Sequence, residues 1–235
     1  MYGPQLAEVY ELIYGKRGKS WANEAEDITR AIRARLPGAR SLLDVACGTG
    51  MHLEAFGEHF EHVEGLEISE PMRRRAVRRL PGVDVHAGDM RDFDLGRTFD
   101  VVTCLFVSIS YVRSLEEMRA AARAMTRHLA PGGVLVVEPW WAPHEFIEGY
   151  VASDLVQDDG RTVARISHST LSEGATRMDI RFLVADAGGI TAFTEVDRLM
   201  LFTEDEYVTA FEDAGCPVEC LDGGLIGRRY VGTRK

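Results

Sequence analysis

The residues Leu43-Asp-Val-Ala-Cys-Gly-Thr-Gly50 carry the densest chemical signal in the chain. An apolar run holds Asp44, and Gly48 and Gly50 then form a turn that leads into a helical stretch. Glycines at such a turn let the backbone approach a ligand closely, and the helix start behind it is electropositive. Two further acids follow in order. Glu67 ends the run GLEI about twenty residues beyond the turn, where a carboxylate accepts from both hydroxyls of a ribose. Asp89 follows VDVHAG and precedes Met90, so a carboxylate there can accept from an adenine amino group while the thioether packs on the ring. Three acids at the carboxyl ends of three successive strands face the crevice where open α/β sheets hold ligands. The pattern suits an adenosine-containing cofactor. Gly48-Thr-Gly50 is followed by Leu53 where a dinucleotide fingerprint wants a third small residue, which speaks against a nicotinamide oxidoreductase.

Other groups carry less. Trp140 and Trp141 are adjacent and bracketed by Pro139 and Pro143, just after a strand. Large flat side chains suit a pocket wall or base stacking, and equally a buried core pair. The run Arg73-Arg74-Arg75 with Arg78-Arg79 reads as the solvated face of a helix. The cysteines, Cys47, Cys104, Cys216 and Cys220, make no CxxC pair and no zinc spacing, so no metal site is expected. They read as reduced thiols of a cytosolic protein.

Positioning these residues requires a strand–helix alternation, and residues 41–137 supply it. The expected strands are SLLDVAC (41–47), HVEGLEI (62–68), VDVHAG (83–88), FDVVTCLFV (99–107) and GVLVVEP (133–139). Helical runs at 52–60, 69–80 and 114–129 separate them, the second with Ser69 as N-cap and Pro71 in its first turn. Near-continuous apolar strands alternating with helices predict a parallel sheet covered on both faces. Two helices, 6–14 and 21–36, precede it. The pattern changes at Thr162. TVARISHSTL, TRMDIRFLVA and ITAFTEVDRLMLF read as three antiparallel strands of an inserted meander, with a turn at DAGG (186–189). One face of the meander is left for a substrate wall or a homodimer contact. A helix opens at Thr203 with Glu206 completing a capping box and Gly215 as the stop, and VECLDG and RRYVGT end the chain as strands. The expected organisation is residues 1–150 with 203–235 as the cofactor-binding domain and 151–202 as the inserted sheet.

Composition agrees with this reading. The chain has 235 residues, 46% hydrophobic and 27% charged, enough to bury a core without disulfides or metals. A net charge of −10 argues against a nucleic-acid polymer as partner. Residues 1–11 lack the basic segment and apolar run of a signal peptide. The longest apolar stretch, Val101 to Ile109, is far short of the ~20 residues of a membrane span, so no membrane partner and a cytoplasmic location are expected.

The form Asp44-x-x-Cys-Gly-x-Gly resembles the first motif of class I S-adenosylmethionine (SAM) methyltransferases. The whole chain resembles the dTDP-3-amino-sugar N,N-dimethyltransferases of desosamine and mycaminose biosynthesis, through SLLDVACGTGMHLE, GLEIS, GDMRDFDLGR, LVVEPWW, RISHS and EGATR. The resemblance implies a Rossmann-like sheet with an appended antiparallel sheet and SAM as cofactor. It implies a SAM site lined by Tyr10, Ala46, Glu67, Asp89, Met90 and Leu105 beside Asp44, Gly48 and Gly50, with Tyr10 bonding the methionine carboxylate. It assigns the nucleotide-sugar to Tyr2, Trp21, the Trp140–Trp141 segment, Ser167 and His168 of RISHS, and Arg228, which would meet the pyrophosphate. Tyr111 would stand beside the amine, with Tyr2 as a second orienting hydroxyl. The family's carboxyl-terminal GGPSGRG reads here GGLIGRR, so Leu225, Ile226 and Arg229 depart from it. Because neighbours on a strand point to opposite faces, Arg228 and Arg229 are not expected to grip the same phosphate.

The implied reaction needs little covalent help: a neutral amine attacks the sulfonium methyl in line, and positioning is the main lever. The amine sheds its proton to a nearby side chain or to water. Two other readings remain open at this stage, a SAM-dependent methyltransferase acting at O, C or N of another small natural product, and a non-catalytic module whose meander serves dimerisation.

Overall fold

The computed structural model describes residues 2–158 and 160–235. The chain begins with α1 (Pro4–Lys16) and α2 (Trp21–Arg35), which precede the central strand β1 (Ser41–Val45). α3 (Met51–Phe56) leads to β2 (His62–Glu67), which pairs in parallel with β1, and α4 (Glu70–Arg79) leads to β3 (Val85–Ala87), parallel to β2. β4 (Phe99–Cys104) crosses to the other side of β1, and α5 (Leu115–Arg127) connects it to its parallel neighbour β5 (Leu129–Val137). Four antiparallel strands follow: β6 (Tyr150–Asp158), β7 (Arg161–Ser172), β8 (Ala175–Asp186) and β9 (Gly189–Met200). α6 (Glu204–Asp213), β10 (Val218–Asp222) and β11 (Arg228–Thr233) complete the chain. β11 inserts antiparallel between β5 and β10, so the main sheet runs β10-β11-β5-β4-β1-β2-β3.

Alternation along each buried strand builds two cores. Leu42, Val101, Val134 and Val136 face α2 and α3 through Ala25, Ile28, Ile32, Leu53 and Phe56. Leu43, Val102, Leu135 and Val137 face α5 and α6 through Met118, Ala122, Met125 and Phe211. Each Val, Leu, Ile, Met or Phe among them contributes about 1.5–3 kcal/mol on burial. Helices thus cover both faces, which places the loops at the carboxyl ends of β1, β2, β3 and β4 along one edge. The helix starts follow their sequence signals. Ser69, Ser114 and Thr203 accept from the amides of Met72, Glu117 and Glu206, and Glu206 returns the bond to Thr203.

Four features depart from the sequence expectation. The meander has four strands, not three: β6 is an edge strand whose side chains are mostly exposed and often polar, so its alternation is weak, yet it pairs with β7 along its whole length. β4 ends at Cys104, and the apolar run continues into a turn in which Phe106 and Val107 both have positive φ, 51° and 60°. β5 begins at Leu129, before Gly132 and Gly133, because its amino end pairs with Phe99. Finally α1, expected with the cofactor domain, lays Leu6, Val9 and Ile13 on Val163, Ile180, Phe182 and Phe193 of the meander. That third core ties the appended sheet to the edge of the main one.

Candidate active site

A cavity of about 440 Å³ lies between the carboxyl edge of the main sheet, α1 and β9. That volume is in the range of pockets for drug-sized ligands. The turn after β1 forms one wall. Ala46 takes a left-handed conformation, φ 60°, and Gly48 follows at 59°. A Cβ on Gly48 would meet nothing within 4 Å, so this backbone is bare toward the cavity. Gly50 does a different job: a Cβ there would come within 3.1 Å of Ala76, so this glycine permits α4 to approach α3 and does not line the cavity.

Three carboxylates surround that turn. Asp44 is 2% exposed and accepts from the Thr103 hydroxyl at 2.7 Å. Burial pushes its pKa up to about 6, against the opposing pull of His52 and the Thr103 bond. Glu67 is buried and accepts from the amides of Gly48 at 2.8 Å and Ser69 at 2.6 Å. Its burial raises the pKa and the two amides oppose the rise. Asp89 lines the cavity and is gripped by Arg91, whose Nε lies 2.9 Å from one carboxylate oxygen and 3.1 Å from the other. That ion pair holds Asp89 below the usual carboxylate range and leaves its remaining lone pairs to compete for any adenine amino group. Met90 and Leu105 also line the wall.

Tyr2, Tyr10, Trp21 and Tyr111 line the cavity from the lid side. The Tyr2 and Tyr111 hydroxyls are 2.6 Å apart, and Tyr10 packs between Tyr2 and Tyr14, with ring centroids 5.9 and 4.7 Å away. Burial raises the pKa of all four phenols, so each is a neutral donor and acceptor near pH 7.

The remaining expected substrate residues lie elsewhere. Trp140 donates from Nε1 to the Thr176 hydroxyl at 3.0 Å and borders a separate cavity of about 60 Å³, while Trp141 is exposed beside it. The small cavity also holds Arg228, whose guanidinium makes a two-point ion pair with Glu145. Arg229 turns inward, 5% exposed, toward Glu138, as strand alternation requires. Ser167 and His168 are likewise divided by the strand. Ser167 is buried on the inner face of the meander and accepts from Arg165 at 3.1 Å, whereas His168 points to the outer face, and neither borders the large cavity. The arginine run is also not a purely solvated face. Arg79 donates to the Thr49 carbonyl at 3.2 Å and to Glu54 and Glu11 at 3.1 and 2.6 Å, bracing the glycine turn.

Sequence reasoning missed three contributors. Lys19 is buried over the Phe106 ring at 3.9 Å and pairs with Glu24, which in turn meets His52 at 2.7 Å. The left-handed Phe106 amide donates to Glu138 at 2.9 Å. Asp197 on β9 faces the Tyr111 hydroxyl. A signal for it existed. In Phe193-x-Glu195-x-Asp197-x-Leu199 two acids share the phase of the buried Phe193 and Leu199 on an alternating strand. Among the described residues no three His, Cys, Asp or Glu side chains converge as metal ligands.

The bare glycine turn, the buried acids on either side of it and the cavity volume fit SAM. The methyltransferase-domain family model matches residues 42–133. The chain is 52% identical over 235 residues, 99% of both chains, to dTDP-3-amino-3,4,6-trideoxy-alpha-D-glucopyranose N,N-dimethyltransferase of Streptomyces venezuelae. It is 50% identical, over 100% of this chain and 94% of the relative, to dTDP-4-amino-2,3,4,6-tetradeoxy-D-glucose N,N-dimethyltransferase of Saccharopolyspora spinosa. Its fold superposes with a TM-score of 0.89 and 56% identity, over 97% of each chain, on SAM-bound CalS10, an amino pentose methyltransferase from Micromonospora echinaspora involved in calicheamicin biosynthesis. With relatives this similar over its whole length, and a cavity whose walls suit the methyl donor, the chain belongs to the SAM-dependent dTDP-amino-sugar N,N-dimethyltransferase family.

Proposed function

We propose that the protein transfers two methyl groups in succession to the amino group of a dTDP-linked amino deoxysugar in antibiotic biosynthesis. The observation that carries the reading is the neutral tyrosine wall, Tyr2, Tyr10 and Tyr111, on the side of the SAM cavity away from the glycine turn. When bound, SAM supplies an electrophilic methyl on a sulfonium centre. The chain's own residues bind and orient. The amides and acids around Gly48 hold the adenosine and methionine ends: Glu67 for the ribose, Asp89 with Met90 for the adenine, Asp44 for the methionine ammonium. Tyr2 and Tyr111 orient the amine with two hydroxyls and keep bulk water from it. A neutral nucleophile and a cationic donor need orientation more than charge stabilisation, so a wall of aromatic rings and hydroxyls is suited to the task.

The nucleotide end of the substrate is assigned to Trp21, Trp140 and Arg228, with Arg228 exchanging its Glu145 partner for the pyrophosphate. Mass spectrometry of dTDP-3-amino and dTDP-4-amino sugars incubated with SAM tests the reading and its ring position. Gain of 28 mass units on one nucleotide-sugar is expected. Gain of 14 only would make the protein a monomethylase, and equal turnover of the free sugar would remove the nucleotide site.

The outer face of the meander supports a homodimer. Leu155, Ala164, Leu183 and Ala192 are register partners across all four strands, and Leu155 and Leu183 are 75% and 52% exposed. An aliphatic row of that kind is self-complementary about a two-fold axis, so the partner is a second copy. Light scattering should report a dimer and, for the double variant Leu155→Glu/Leu183→Glu, a monomer. A monomeric parent protein removes this part. No helix among the described residues is long and apolar enough to cross a membrane. The cytoplasm is the proposed location, because the four cysteines are all unpaired and nucleotide-sugars are cytoplasmic metabolites.

A further inference from the structure

The amine must lose a proton before each transfer, and the cavity wall contains a path for it that the family resemblance did not supply. β9 packs against the 3-10 turn Ser108–Tyr111, and on its inward phase stands Asp197. Phe193 and Leu199, on the same phase, are buried. Glu195, between Phe193 and Asp197, shares that phase, and across β8 the rows of Glu195 and Asp197 reach the buried Ser167 and Ser169 of β7, so this stretch of the inner face is partly polar. The Asp197 carboxylate faces the Tyr111 hydroxyl, which in turn lies 2.6 Å from the Tyr2 hydroxyl. Both phenols line the cavity, whereas Asp197 stands behind them.

We propose that Asp197, acting through the Tyr2–Tyr111 hydroxyl pair, is the acceptor for the proton that the substrate ammonium gives up before each methylation. The inference rests on the amine N-methylation reading above. The step balances without a further reagent. An N–H bond of the ammonium breaks and its electron pair stays on nitrogen as the nucleophile. The proton passes to a tyrosine oxygen while the tyrosine's own proton moves on to the Asp197 carboxylate. The resulting carboxylic acid returns the proton to water when products leave, and the cycle repeats for the monomethylated amine. Asp197 is a positioning residue in the sense that it acts through the tyrosines. The phenols alone are poor acceptors, because burial holds them neutral.

The surroundings suit a proton acceptor that works near neutrality. Tyr111 faces Asp197 from the 3-10 turn, Tyr2, Tyr10 and Tyr14 from the amino-terminal segment, Arg165 from β7 and Glu195 from its own strand. Burial, the dominant influence, pushes Asp197 up to about 6, with the nearby Tyr111 hydroxyl opposing and Glu195 adding. Such a carboxylate is ionised at pH 7 and basic enough to share a proton with an amine.

The experiment is the pH profile of the first methylation in the full-length parent protein and in Asp197→Asn. The variant must rely on amine that is already neutral, about a tenth of the total at pH 7 for an amine of pKa about 8. Its kcat/KM should therefore be down about tenfold at pH 7, climb with pH, and come within twofold of the parent at pH 9. The parent should instead stay flat down to its own acid limb near pH 6, the Asp197 value. Asp197→Glu should restore most of the loss. Affinity for S-adenosylhomocysteine by calorimetry should be unchanged in both variants. A deficit equal at every pH, or no deficit, overturns the proposal. If Asp197→Asn does not fold, Tyr111→Phe keeps the carboxylate but cuts its link to the cavity; beyond the pH-independent loss of an orienting hydroxyl, its deficit must still shrink about tenfold between pH 7 and pH 9. A parent protein that methylates no dTDP-amino sugar overturns both readings, whereas an active parent with a pH-independent variant overturns this one alone.

Discussion

Substituting Glu67→Gln separates the two things this side chain does. In the structure its carboxylate accepts from the Gly48 and Ser69 amides at 2.8 and 2.6 Å, so it holds the glycine turn onto the end of β2. The remaining lone pairs are those that would take the ribose hydroxyls. Glutamine keeps one accepting oxygen and places an NH₂ against the other donor. One charge-assisted bond is lost, worth about 1.5–3 kcal/mol, and one amide is left poorly paired. The relief of a buried charge offsets part of that, since burial already raises the Glu67 pKa. A net loss of about 2 kcal/mol follows, or about 4–8 °C in Tm for a chain of this length. For the cofactor, loss of one charged acceptor to a ribose hydroxyl corresponds to an increase in Kd of about 10- to 100-fold. Calorimetry with S-adenosylhomocysteine, run well below the variant's Tm, reads the second effect with the first under control. An unchanged Kd in a protein that melts lower would show that Glu67 only braces the turn, and the ribose assignment would fail.

Three further outcomes follow from the same geometry. Asp44 is pushed up to about 6 in the folded protein from 3.8, so folding takes up a proton between about pH 4 and 6 and stability from this group rises as pH falls through that window. Its ionisation therefore costs about 3 kcal/mol at pH 7, so that Asp44→Asn should melt higher without ligand, yet bind SAM more weakly and lose the fall in affinity that the parent shows as pH drops below 6. Arg228→Ala should raise the KM for the nucleotide-sugar about tenfold with SAM affinity unchanged, and Glu145→Gln, which frees the guanidinium, should lower that KM; equal damage to SAM binding would remove Arg228 from the diphosphate. Gly65→Ala should destabilise by about 1–3 kcal/mol in a denaturant titration, since the new Cβ would meet Cys47 Sγ at 2.7 Å and Leu53 at 3.0 Å, and an unshifted midpoint would refute the close packing there.

Much of this molecule can be read along its chain, where the physics is local. Period-2 apolar runs, glycine turns and the Ser69 and Thr203 caps depend on residues within a few positions of each other, and these placed the main sheet, its helices and the acids Asp44, Glu67 and Asp89 at one edge. What escaped depends on distant partners. β6 is a strand because β7 pairs with it, not because of its own pattern. The turn at Phe106–Val107 overrides a run of strand-forming residues because Glu138, 32 positions away, accepts the Phe106 amide. Ser167 and His168 look equivalent in RISHS, but the pleat buries one on the inner face of the meander and sends the other to the outer face. The guanidinium of Arg228 is engaged by Glu145, 83 residues earlier. Asp197 becomes a candidate proton acceptor only when β9 folds back against the Tyr2–Tyr111 pair, from elements nearly two hundred residues apart. The sequence by itself determined the cofactor edge, since that chemistry sits at the ends of consecutive strands. The tertiary structure alone decided the substrate side, where the side chains come from α1, the 3-10 turn and β9 and act on one another only once long-range packing has removed the water between them.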